Sequence, residues 1–90
     1  MSENMKFPLG HIYTTSGAAE LLTLDEEVDL ISRHVALDQG ELCDQDYDMN
    51  VKGISNGDRI LSCYVVRGER FYVETSADRS ITTVYLCSEY

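Results

Sequence analysis

The hydrophobic period of this chain changes once, near Arg59, and that change dictates its architecture. Before it, apolar residues recur at helical spacing; after it, they alternate. Residues 60–66, 70–75 and 81–87 are rich in Val, Ile, Tyr, Phe and Thr, which suit a pleated, half-buried surface. The first gap contains Arg67-Gly68 and the second Ala77-Asp78-Arg79-Ser80. Neither gap can hold a crossover helix, so the three strands are predicted to run antiparallel as a meander.

A loop at 77–80 sets Thr75 opposite Thr82, Val73 opposite Val84 and Phe71 opposite Leu86 on a core face. Arg70, Tyr72, Glu74, Thr83 and Tyr85 then take the other face. The first strand has two registers. A tight Arg67-Gly68 turn points Ile60, Ser62, Tyr64 and Val66 inward; a three-residue loop points Leu61, Cys63 and Val65 inward. The second is preferred, because it buries three apolar groups and leaves the Ser62 and Tyr64 hydroxyls nearer water. Tyr64, Tyr72 and Tyr85 then share the uncovered face with Arg70. Such a face either shields the sheet or forms an interface, since Tyr and Arg are enriched in binding hot spots.

Three strands alone rarely stand in water, so helices from the first half must cover the apolar face. Residues 1–13 read as an extended arm, broken by Pro8 and Gly10 and anchored by Phe7, Leu9 and Ile12. A short helix starts at Thr15, Ser16 or Gly17 and runs through Leu22. Thr23-Leu24-Asp25-Glu26 is a capping box that opens a second helix. Leu24, Val28, Ile31 and Val35 form its apolar stripe, Arg33 and His34 suit its last turn, and Gly40 is its stop. A third helix is predicted from about Cys43 or Asp44 to Ile54, with Cys43, Tyr47, Val51 and Ile54 on one face. The expectation is an α+β domain over 14–90: three N-terminal helices, then a three-stranded antiparallel meander, with the helices on one sheet face.

Charge is as unevenly placed as period. Residues 20–48 hold ten acids against Arg33, a net of ten minus one, and the whole chain carries −9. The remainder is therefore neutral. Such a segregated field repels nucleic acid and membrane surfaces and favours a basic protein partner. Asp25, Glu26, Asp29, Asp38, Glu41, Asp44, Asp46 and Asp48 are the candidate contacts. The plain account is helix N-terminal acids plus a solvated face; the sharper one is a surface that imitates a nucleic-acid backbone.

Other chemistry is thinly supported. His34 and Asp38 stand at i,i+4, the minimum for acid–base work, without a nucleophile in a recognisable motif. Cys43, Cys63 and Cys87 lack the short spacings of zinc sites and read as small buried hydrophobes. The Asp44/Asp46/Asp48 run lacks the Gly and Glu of a calcium loop, with Met49 and Ser55 in their places. No catalytic residue, metal or cofactor is expected. Three cysteines without a signal peptide read as reduced thiols, and no apolar run approaches the ~20 residues that span a bilayer. A cytoplasmic protein is expected.

One series of residues resembles a known family. It comprises Phe7-Pro8-Leu9-Gly10, Ile12 with Thr14-Thr15 and Gly17-Ala18, Arg33-His34-Val35, Gly40-Glu41-Leu42, and Asp46 with Asn50. It continues through Arg59, Leu61-Ser62 and Tyr64, Ala77-Asp78-Arg79-Ser80 with Thr82-Thr83, and the closing Glu89-Tyr90. Together these resemble the short bacterial "plasmid-related" proteins of mobile elements. Gln39 and Tyr72 depart from that pattern, which commonly has tryptophan at both places. The resemblance implies a genetic setting and no reaction. The expected function is non-enzymatic: an acidic mobile-element protein that binds another protein and inhibits a host nucleic-acid-processing or defence system. The alternative is a structural or scaffolding homodimer through the tyrosine face.

Overall fold

A computed structural model describes residues 7–36 and 56–90. Its elements are β1 (His11–Thr14), α1 (Ser16–Leu21), α2 (Leu24–Val35), β2 (Ile60–Val66), β3 (Glu69–Thr75) and β4 (Ile81–Leu86), closed by a 3-10 turn at Cys87–Glu89. The strands form one mixed sheet in the order β1-β4-β3-β2. The expected three-stranded meander is thus corrected to four strands, and the arm contributes the fourth: β1 lies parallel to β4, with His11 beside Ile81 and Thr14 beside Val84. Among the described residues there are two α-helices; the third expected helix lies outside them.

β1 joins the sheet because Gly10 lets the backbone approach the 77–80 turn. Gly10 has φ +67, and a Cβ there would sit 2.2 Å from the Ser80 carbonyl oxygen. With that approach allowed, the His11 N–H donates to Ser80 O at 2.8 Å and the Thr15 N–H to Val84 O at 2.9 Å, one at each end of the ladder.

The β3–β4 register is as expected, with Phe71 opposite Leu86, Val73 opposite Val84 and Thr75 opposite Thr82. The β2–β3 register is not. Val66 pairs with Glu69 around a two-residue Arg67-Gly68 turn, so Ile60, Ser62, Tyr64 and Val66 take the core side. Both turn residues have positive φ, 50° and 83°. That is the loop whose twist matches a right-handed hairpin. The left-handed conformation is costly for an arginine, and the Arg67 guanidinium is held by the Glu26 carboxylate and the Leu21 carbonyl. Burial of Ser62 carries little penalty here because its hydroxyl has a partner inside the core.

α2 begins as expected. The Thr23 hydroxyl accepts from the Glu26 N–H at 3.1 Å, and the Glu26 carboxylate accepts from the Thr23 N–H at 2.8 Å. Its buried stripe, however, is rotated from the expected one. Leu30, His34 and Val35 are buried and Ile31 is partly so, whereas Leu24 is 75% and Val28 55% exposed. The rotation follows from what the inner flank must reach: Glu27 accepts from the Thr14 hydroxyl at 2.7 Å, and His34 enters the core as a hydrogen-bonding hub. α1 is fixed from the far end of the chain. The Glu89 carboxylate accepts from the Thr15 hydroxyl at 2.5 Å and from the Gly17 N–H at 3.0 Å, which holds its titration below the usual carboxylate range.

Among the described residues the core has two parts. Ala18, Leu22, Leu30, Tyr64, Phe71, Val73 and Val84 form one; Phe7, Val35 and Ile60, with Leu9 against them, form the other. Gly10→Ala is predicted to lower the unfolding free energy by more than about 2 kcal/mol in urea titration, combining left-handed strain with the clash on Ser80. Gly68→Ala, strained but open, costs about 1 kcal/mol. Equal costs would show that the N-terminal strap, the arm around Gly10, is not packed on the turn.

Candidate functional site

The most chemically loaded place in the molecule lies inside it. His34, Ser62, Thr75 and Thr82 are all fully buried. The His34 Nδ1 is 2.7 Å from Ser62 Oγ and its Nε2 is 2.8 Å from Thr75 Oγ1. Thr75 Oγ1 is 2.7 Å from Thr82 Oγ1, and the Thr82 hydroxyl donates to the Leu9 carbonyl at 2.7 Å. That carbonyl fixes every proton in the chain. Each threonine has one proton to give. Thr82 spends its own on Leu9, so Thr75 donates to Thr82. Thr75 must then accept from Nε2–H, and Nδ1 accepts from Ser62. The imidazole is neutral and carries its proton on Nε2.

Burial alone drives the His34 pKa down to about 3. Among the described residues no carboxylate faces the ring to hold a proton on it; those against it are the Ser62 and Thr75 hydroxyls and the Phe7 ring, edge-on at 5.2 Å. A serine hydroxyl bonded to an imidazole has the geometry of a nucleophile and its base. Here both partners are closed off from water, so the pair is a structural tie between α2, β2 and β3. Both ring nitrogens of His34 are taken up by Ser62 and Thr75; Asp38, which stands four residues on in the sequence, lies outside the described residues.

The carboxylates divide by what holds them. Glu26 is committed to the Thr23 amide and to Arg67, whose side-chain hydrogen bond is the main cause of its lowered pKa. Asp25 and Asp29 are exposed on α2, and their carboxylates make no hydrogen bond or ion pair among the described residues. Asp38, Glu41, Asp44, Asp46 and Asp48 lie outside those residues. In the 7–36 segment five acids face one base, Arg33, and in 56–90 five face four arginines, giving nets of −4 and −1. The excess charge of the described residues thus sits on the helical side of the chain.

The expected tyrosine face is partly dismantled. Tyr64 is buried on the core side, with the Arg33 guanidinium 4.6 Å above its ring. Tyr72 and Tyr85 do share the opposite face, and Tyr90 packs on both, at 4.8 and 5.1 Å between ring centroids. The sequence reading missed Tyr90, although its place three residues past an outward-facing strand end was the available signal. The Tyr90 hydroxyl and Arg59 converge on the Glu74 carboxylate at 3.3 and 3.2 Å. Arg70 is exposed and donates to Cys63 Sγ at 3.3 Å. Cys63 is buried and Cys87 exposed, and both are free thiols.

In the β3–β4 turn, Asp78 accepts from the Ser80 hydroxyl at 2.6 Å, the Ser76 hydroxyl at 2.8 Å and the Ser80 N–H at 3.0 Å. These bonds hold its pKa down to about 2. Arg79 reaches the carbonyls of Asp58 and Ser76 at 2.6 and 3.0 Å and lies 5.7 Å from the Phe7 ring, so it braces the turn against the strap. Among the described residues no three His, Cys, Asp or Glu side chains gather to hold a metal ion, and no helix is long and apolar enough to cross a membrane. No family model, curated protein or solved structure matches the chain.

The buried histidine has a pH signature. The folded state holds neutral imidazole down to about pH 3, whereas the unfolded chain takes up a proton near 6.5. The unfolded state therefore binds more protons between these values. This contribution is fully present above pH 6.5 and is lost as pH falls toward 3, at about 1.4 kcal/mol per pH unit. Urea titrations of wild type and His34→Gln, subtracted at each pH, should show that slope. A difference independent of pH would mean that His34 titrates normally.

Proposed function

We propose that this chain is a non-enzymatic protein-binding module of a bacterial mobile element that engages a basic partner through the outer side of α2. The observation that supports this most is the exposure of Leu24 and Val28 beside Asp25 and Asp29 on a helix whose other flank is fully engaged. Exposed aliphatic groups supply contact area, and neighbouring carboxylates supply long-range attraction and discrimination. A host nucleic-acid-processing or defence protein, whose working surface is basic, is the sharp form of the partner. The mobile-element setting enters through the sequence resemblance alone. The buried state of the Ser62–His34 pair favours binding over catalysis.

A second reading, a homodimer through the sheet face, draws on the half-exposed Tyr90. Since Tyr90 already covers Tyr72 and Tyr85, a second copy would meet its outer surface. Dissociation of a dimer by Tyr90→Ala in light scattering would support that reading.

Capture from nuclease-treated bacterial lysate tests the first. Wild type and the Asp25→Lys/Asp29→Lys variant are immobilised side by side at low and high salt. The expected result is a defined set of basic proteins held by wild type, released by salt and missing from the variant, with the variant's circular dichroism unchanged. The same captured set on both would contradict the reading.

A further inference from the structure

We propose that the open edge of β1 pairs with the same edge of a second copy of this chain, antiparallel and about a two-fold axis, so that two sheets join into one. β1 ends the strand order, and among the described residues β4 is its one strand neighbour. The His11 and Thr15 N–H groups donate to the Ser80 and Val84 carbonyls. Backbone groups alternate in direction along a strand, so the N–H and C=O of Ile12 and Thr14 point away from the sheet. They make no hydrogen bond among the described residues. Ile12 on the helix-bearing face and Tyr13 on the other are 48% and 55% exposed. Such a row of unpaired donors and acceptors is matched by another extended strand. Of the usual protections of an edge, lysine and proline are missing from His-Ile-Tyr-Thr, and shortness remains.

What the edge offers fits itself. With Tyr13 on the axis, Ile12 of each copy faces Thr14 of the other, and these pairs exchange both of their backbone bonds. The two Tyr13 side chains meet as a close cross-strand aromatic pair. His11 of each copy then faces Thr15 of the other, whose hydroxyl donates to the Glu89 carboxylate at 2.5 Å. An imidazole is thereby set beside an acid at both ends of the pairing, a charge match that an unrelated strand does not supply. The excess negative charge does not oppose the approach. Asp25 and Asp29 stand with Val66 and Arg67 on the hairpin side of α2, toward the opposite edge of the sheet. Glu27, which does reach β1, is taken up by the Thr14 hydroxyl at 2.7 Å. The pairing is short, so the dimer is a weak one.

Analytical ultracentrifugation of the full chain from about 10 µM to about 1 mM tests this. The expected result is a monomer–dimer equilibrium. Ile12→Pro removes an outward N–H and spares the bonds to β4, as an edge strand allows, and Tyr13→Lys sets like charges on the axis. Each should weaken dimerisation by at least about tenfold, with circular dichroism unchanged. In a mixture of labelled and unlabelled copies, magnetic resonance should show the Tyr13 Hα of one copy against the Tyr13 Hα of the other. A monomer at every concentration overturns the proposal and leaves the edge to a foreign strand. A dimer that both variants leave intact overturns it as well, and if Tyr90→Ala dissolves that dimer, association runs through the sheet face. Either failure leaves the acidic-surface reading to stand on the capture experiment.

Discussion

One imidazole ties together parts of the chain that sequence keeps far apart. His34 leaves α2, bonds Ser62 on β2 and Thr75 on β3, and through Thr82 on β4 reaches the carbonyl of Leu9 in the N-terminal strap. Each of these polar groups would be costly in an apolar interior if left alone. Joined in one direction, they satisfy each other and set the positions of their elements. Ser62 can face inward only if a partner waits there, so the inward position of Ser62 and the two-residue hairpin turn belong together. The strap can supply β1 only if Leu9 sits where Thr82 can reach it. The rotation of α2 follows too: placing His34 in the core brings Leu30 with it and turns Leu24 and Val28 outward.

That rotation links fold to surface. The aliphatic groups given up by the core lie on the same helix as Asp25 and Asp29, which are left without local partners, whereas Glu26 and Glu27 are taken by Arg67 and Thr14. The helix thus separates its acids into those that hold the fold and those left exposed to solvent. On the other side of the sheet, Tyr90 lies across Tyr72 and Tyr85, and Glu74 gathers Arg59 and the Tyr90 hydroxyl. That face carries its own cover.

What was legible in the sequence was local. The capping box at Thr23, the start of α2, and the β3–β4 pairs of Phe71, Val73 and Thr75 all follow from short-range signals, and the structure has them. What was not legible depended on distant partners. His-Ile-Tyr-Thr is too short for its alternation to stand out, and β4, which makes it a strand, lies some 70 residues away. The β2 register was misjudged because burial of Ser62 and Tyr64 looked expensive, and nothing nearby announces that His34 meets the Ser62 hydroxyl. The α2 stripe was misjudged for the same reason: histidine counted as a polar residue for the last turn when it was the hub of the core. Of the candidate site, Asp25 and Asp29 were legible as acids of the helix's first turns, but the exposure of Leu24 and Val28 beside them needed His34 to be placed in the core first.

The dependence of this arrangement on a neutral, directed hydrogen-bond chain can be read from the ring nitrogens of His34. In ¹⁵N-labelled protein, long-range proton–nitrogen correlation distinguishes the two tautomers and follows protonation with pH. The account predicts a proton on Nε2, an accepting Nδ1, and no change in either resonance from pH 7 down to about 4. A proton on Nδ1, or a titration centred near 6.5, would contradict it.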